Sequence, residues 1–149
     1  MRAVVQRVSQ ASVHVEDSVS GAIERGLLVY LGVGNEDDEC DARYIVNKIR
    51  HLRIFPDDEG RLNRDVVQAE GKVLVVSAFT IQADARRGRR PSFDAAASPD
   101  HAVRLYDQAC EELRQSGVSV ELGVFRAMMD VHSTNAGPIC ILLDSKRGF

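Results

Sequence analysis

The stretch Gly26-Leu27-Leu28-Val29-Tyr30-Leu31-Gly32-Val33-Gly34 constrains this chain more than any other. It is apolar at successive positions rather than alternate ones, so it reads as a strand covered on both faces. Val73-Leu74-Val75-Val76 is a second buried run of the same kind. Only two segments carry helical periodicity. Ala42, Ile45, Val46, Ile49 and Leu52 predict an amphipathic helix over 37–52. Ala102, Tyr106, Ala109, Cys110 and Leu113 predict another over 99–115. Ser98-Pro99-Asp100 opens it, with Ser98 as N-cap and Pro99 at the first helical position, and Gly117 stops it. Two helices are too few for a doubly wound sheet.

The remaining segments read as strands and turns. Residues 2–8 and 11–15 predict two strands, and 19–24 a short third that completes a hairpin meander. Arg53-Ile54-Phe55 is a short strand, and Pro56 to Gly60 a strong turn signal. Residues 63–68 read as a link or short strand before the strand at 72–78. Val118 to Val124 alternates as another strand, and 125–129 is a loop or bend. Val131 begins a further strand, Asn135-Ala136-Gly137-Pro138 a sharp turn, Ile139 to Leu143 a last buried strand, and Ser145 to Phe149 a loose tail. The expectation is an α/β fold. Its mixed, largely antiparallel sheets are layered β/β/α in a barrel-like arrangement with two main helices, and residues 1–149 form one domain.

Composition narrows the class. With 149 residues the chain buries a core without disulfides or metal. A net charge of −3 means that any nucleic-acid contact rests on a local cluster. Cys40, Cys110 and Cys140 show no CxxC spacing, and His14, His51, His101 and His132 no HxH or HExxH spacing, so neither metal nor cofactor is expected. The first ten residues lack the apolar core of a signal peptide, and no run reaches membrane-spanning length. A cytoplasmic protein with no membrane partner is expected.

The chemistry concentrates in Lys72 to Phe93. A strand delivers Ser77 and Thr80 to its tip beside Arg86, Arg87, Arg89 and Arg90, which bracket Gly88. The hydroxyls suit substrate contact or nucleophilic attack, but a nucleophile needs a base within reach. The arginines suit phosphate oxygens or form a plain solvated loop. Asn135 to Pro138 is by default a turn; an X-Pro bond that is cis re-aims neighbouring carbonyls, which then accept from an ammonium group. Cys140 is more readily an inert buried thiol than a nucleophile, and Met128-Met129 more readily core filler than pocket lining.

Ser77-Ala78-Phe79-Thr80-Ile81, Arg90-Pro91-Ser92-Phe93 and Asn135-Ala136-Gly137-Pro138-Ile139-Cys140 together resemble the D-aminoacyl-tRNA deacylases. The likeness extends through Ala3 to Val8, Gly26 to Gly32, Arg53 to Phe55, Ser98 to Asp100 and Leu105 to Asp107. The resemblance implies a metal-free homodimeric ester hydrolase. It would release D-amino acids, or mischarged glycine, from the 3′-terminal adenosine of tRNA as a proofreading step. Gly137-Pro138 would carry a cis peptide into the partner's site, receive the substrate ammonium and exclude L side chains. Arg7 would hold that motif; Phe79, through its backbone N–H, and Thr80 would sit at the ester and ribose. Ser77 counts with them as catalytic, and Ala78, Asn135 and Met129 as substrate-binding. The tRNA 2′-hydroxyl would assist, with Asp84 the only base candidate near either motif. Ala78 replaces the family's usual Gln and Cys140 its usual Thr. The rival reading is a non-catalytic RNA-binding module using Arg86–Arg90.

Overall fold

The computed structural model describes residues 1–148. Its elements run β1 (Arg2–Val15), β2 (Ser18–Ile23), β3 (Gly26–Gly32), α1 (Glu39–His51), β4 (Phe55–Pro56), β5 (Leu62–Arg64), β6 (Lys72–Ser77), a 3-10 turn (Phe79–Gln82), α2 (Pro99–Gln115), β7 (Ser119–Leu122) and β8 (Asp130–Asp144). The main sheet has the order β2-β1-β3-β6-β7, with β8 also paired to β1. β1 is antiparallel to β2, β3 and β8, whereas β3–β6 and β6–β7 are parallel. β4 and β5 form a separate antiparallel pair.

The two apolar runs lie side by side at the centre of the sheet, with Leu27 to Leu31 paired to Val73 to Ser77. Their side chains alternate between two cores. Leu27, Val29, Leu31, Val73 and Val75 pack with Ala42, Ile45 and Ile49 of α1 and Leu105, Ala109 and Leu113 of α2. Leu28, Leu74 and Val76 pack on the other face with Val8, Ala11, Val13 and Ile23. That face is covered by the sheet itself, which curls until β7 nearly meets β2. A Cβ on Gly21 would lie 2.5 Å from the Leu122 carbonyl oxygen, so only glycine permits this near-closure. Burial of the α2 face pushes the Cys110 thiol up to about 12, and the Tyr106 hydroxyl donates to Val75 O at 3.1 Å.

Several expected boundaries are corrected. Residues 2–8 and 11–15 are one strand. The inward face shifts from Val8 to Ala11 and Val13 because the β1–β8 register slips between Val8 and Gln10, and a bulge of this kind mimics a break in sequence. The expected sharp turn at 135–138 is likewise an irregularity inside one fifteen-residue strand, β8. The expected last buried strand is buried on one side only: Ile139, Ile141 and Leu143 pack on the helical core while Leu142 is 57% exposed. α1 begins at Glu39, capped by Asp38 and Asp41 in a reciprocal capping box. Ser98 occupies the N-cap of α2 without a side-chain cap bond, its carbonyl accepting from Ala102 N at 2.8 Å. The tail is not loose over the described residues. Ser145 N donates to Met1 O at 2.9 Å and Lys146 Nζ pairs with Asp41 at 2.7 Å; Phe149 lies outside the described residues.

Candidate active site

The strand expected over 72–78 ends one residue early. β6 stops at Ser77, and Phe79–Gln82 forms a 3-10 turn across the end of β3. Gly32 allows this close approach: a Cβ there would lie 2.6 Å from Ile81 Cγ1 and 2.7 Å from Ala78 O. The turn is tied to the sheet by Ala78 N donating to Leu31 O at 2.9 Å and by the buried Gln82 amide donating to Gly32 O at 2.9 Å. Ser77 and Ala78 are half-buried, whereas Phe79 and Thr80 are exposed. As the first residues of the turn, Phe79 and Thr80 direct N–H groups that have no acceptor within it.

The basic loop follows directly. Asp84 and Ser92 form an isolated bridge, with N–H···O distances of 2.8 and 2.9 Å, which closes the loop at its base. Gly88, at φ +72°, sits at its tip. Arg87, Arg89 and Arg90 are exposed there. Arg86 differs, because its guanidinium grips both oxygens of Asp84, at 2.9 and 2.6 Å. The Arg86 guanidinium and backbone N–H hold the Asp84 carboxyl well below the usual carboxylate range. With both oxygens engaged by Arg86, Asp84 is a poor proton acceptor at neutral pH.

The second motif is built on β8. The Gly137–Pro138 peptide is cis. Arg7 Nε donates to Ala136 O at 2.9 Å and its Nη1 to Ile54 O at 2.7 Å, so one guanidinium ties the motif to the residue before β4. Asn135 Oδ1 accepts from Ile139 N at 2.9 Å and closes the chain across residues 136–138. A depression of about 280 Å³ lies alongside, lined by Arg7, Arg25, Phe55, Pro56 and Ala136 among others.

These two groups do not converge within the chain. The 3-10 turn lies at the Arg2 end of β1, where Arg2 Nη1 approaches Ile81 O, and Gly137 lies at Arg7. Five residues of extended strand separate those positions, about 17 Å. Met129 is half-buried against the second core, which includes Val76, and its sulfur lies beside Gly123, whose N–H donates to Val75 O at 2.9 Å near the end of β6. Met128 is not core filler, being 91% exposed on the 125–129 bend. Cys140 is not buried either, because its side chain points to the open face of the sheet, with Gln6 Nε2 3.9 Å from its sulfur. The sequence reading missed the buried Gln82 and the packing role of Gly32; a glycine ending a fully apolar strand was the available signal.

A family model described as D-Tyr-tRNA(Tyr) deacylase matches residues 4–144. A Koribacter versatilis protein named D-aminoacyl-tRNA deacylase is 56% identical over 149 residues, covering all of both chains. The solved structure titled c-Myc DNA Unwinding Element Binding Protein is 37% identical with a TM-score of 0.91, covering 97% of this chain and 98% of its own. A structure titled as a probable eukaryotic D-amino acid tRNA deacylase shares the fold at 19% identity, with a TM-score of 0.81 over 95% of this chain and 97% of its own.

Proposed function

The chain belongs to the D-Tyr-tRNA(Tyr) deacylase family, and on that premise we propose how its two separated motifs serve one reaction. The protein is a hydrolase of the ester in D-aminoacyl-tRNA. The observation that carries the rest is the placement of the motifs at different ends of the β1 stretch from Arg2, which reaches Ile81 O, to Arg7, which lies against Gly137. Both lie on a sheet with an open face, where the exposed Leu142 and Cys140 stand beside the half-buried Val4 and Gln6. A two-fold axis through that face exchanges its two ends. It brings Gly137-Pro138 of one chain to Phe79-Thr80 of the other and buries the apolar surface between them. The active protein is thus a homodimer with two composite sites.

In each site the ester lies at Phe79 and Thr80, where backbone N–H groups stabilise the oxyanion. The carbonyls of the partner's Gly137-Pro138 segment receive the substrate ammonium, and that backbone leaves no room for an L side chain. Glycine, which has no side chain, passes the same filter. Arg7 and Asn135 are positioning residues that fix the segment through Ala136 O and Ile139 N. Asp84 is held by Arg86, and the tRNA 2′-hydroxyl assists the attack on an already activated ester. Ser77 and Ala78 seat the turn; Ala78 offers a methyl where the family usually places an amide, which lowers affinity or rate without affecting the fold. Arg87, Arg89 and Arg90 contact tRNA phosphates.

Incubation with D-Tyr-tRNA and L-Tyr-tRNA tests this reading. Selective loss of the D ester is expected, and Thr80→Ala is expected to retain measurable activity. Salt-dependent binding without turnover would favour the RNA-binding module instead. Abolished turnover in a folded Thr80→Ala protein that still binds would restore Thr80 as nucleophile.

A further inference from the structure

Two large aromatic rings stand on the rim of the proposed site and have no part in the ester chemistry. Phe79 is 59% exposed and Phe93 38% exposed. Their rings meet edge to face, with centroids 5.2 Å apart and planes inclined by 67°. Neither ring is on a loose segment. Phe79 belongs to the 3-10 turn anchored to β3. Phe93 follows the Asp84–Ser92 bridge, and the chain beyond it is pinned by Asn35 N donating to Ala95 O at 2.9 Å and Ala97 N donating to Val33 O at 3.0 Å. An exposed aromatic pair held by backbone bonds on both sides is preorganised to receive a flat apolar partner.

The surroundings identify that partner. Phe79 adjoins Thr80 in the chain, and Phe93 directly follows the loop carrying Arg87, Arg89 and Arg90, whose base the Asp84–Ser92 bridge closes. Exposed aromatic faces beside guanidiniums form a platform for single-stranded nucleic acid, in which the rings take bases and the cations take phosphates. If the ester and terminal ribose lie at Thr80, the chain of the nucleic acid leaves the site past Phe93 towards the arginines.

We propose that Phe93, braced edge to face by Phe79, is a stacking residue for the base of the nucleotide that precedes the terminal adenosine of the aminoacyl-tRNA. The inference rests on the deacylase reading above. It assigns to Phe93 the discrimination between a complete tRNA end and a lone aminoacylated nucleoside. Stacking on a ring tolerates any base, so this subsite strengthens binding of the acceptor end without reading its sequence.

The test compares two substrates: D-Tyr-tRNA, and 3′-O-(D-tyrosyl)adenosine, which lacks the preceding nucleotide. Phe93→Leu is expected to lower kcat/KM on the tRNA by about 5- to 100-fold, mainly through KM, with hydrolysis of the short ester unchanged. Phe93→Tyr is expected to keep the unaltered protein's preference for tRNA. The unchanged short-ester rate also serves as the folding control. An equal loss on both substrates, or no loss on either, overturns the inference, because Phe93 would then support the fold or nothing in the reaction. If the unaltered protein hydrolyses neither ester, the deacylase reading itself falls, and this inference falls with it.

Discussion

Gly137 shows how much one position can decide. Its φ of +145° lies where L side chains are rarely found, and a Cβ there would lie 2.9 Å from both Ile139 N and Ile139 Cγ1. Gly137→Val therefore combines backbone strain with a clash at the surface proposed to exclude L side chains. It is expected to lower stability by about 1–3 kcal/mol, measured by denaturant unfolding, and to lose either deacylation or D/L selectivity. Unchanged selectivity would sink the pocket model. Cys110 and Cys40 make a contrast at the same scale. Burial lifts the Cys110 thiol to about 12, so it resists alkylation in the native protein, whereas the exposed Cys40 is open to it.

At the scale of elements, the basic loop is a braced structure, not a run of free cations. The Asp84–Ser92 bridge and the Arg86–Asp84 pair fix its base, leaving three arginines at its tip. Replacing Arg87, Arg89 and Arg90 together by Ala should reduce the slope of log binding constant against log salt by about 2 for tRNA, and leave the Arg86–Asp84 base intact. A slope that does not change would place the tRNA elsewhere. The charge run was legible in the sequence, but the division of labour within it was not, because only the folded loop brings Asp84 back onto Arg86. β8 teaches the same lesson. Asn135 to Pro138 carries every signal of a turn, yet pairing with β1 on both sides, and the Asn135–Ile139 bond, keep it inside one strand.

At the scale of the whole molecule, the open sheet face and the seam between the chain's two ends make separate predictions. Leu142→Glu places a charge at the centre of the proposed two-fold contact. It should shift the protein towards monomer in analytical ultracentrifugation and lower deacylation in parallel; a fully active monomer would refute the composite site. At the seam, burial would raise the Asp41 pKa, but the Lys146 ammonium and the Asp38 N–H outweigh it and bring it down to about 2. A carboxyl depressed on folding contributes stability above its unfolded value near 3.8 and loses it as pH falls towards 2. That contribution is at most about 2.5 kcal/mol. Asp41→Asn should remove the part of the acid sensitivity that falls between those values, as read from unfolding midpoints across pH.

The sequence by itself determined the layered architecture, the two helices and the central pair of strands. These depend on local periodicity and on residue types with strong conformational preferences, and both survive without knowledge of distant contacts. Only the tertiary structure decided that β1 and β8 are each continuous, that Asp84 is spent on Arg86, that Met128 and Cys140 face outwards, and that the motifs lie at opposite ends of one strand. Each of these depends on which segments pair across the sheet and in what register, a property of the folded backbone that no local stretch encodes.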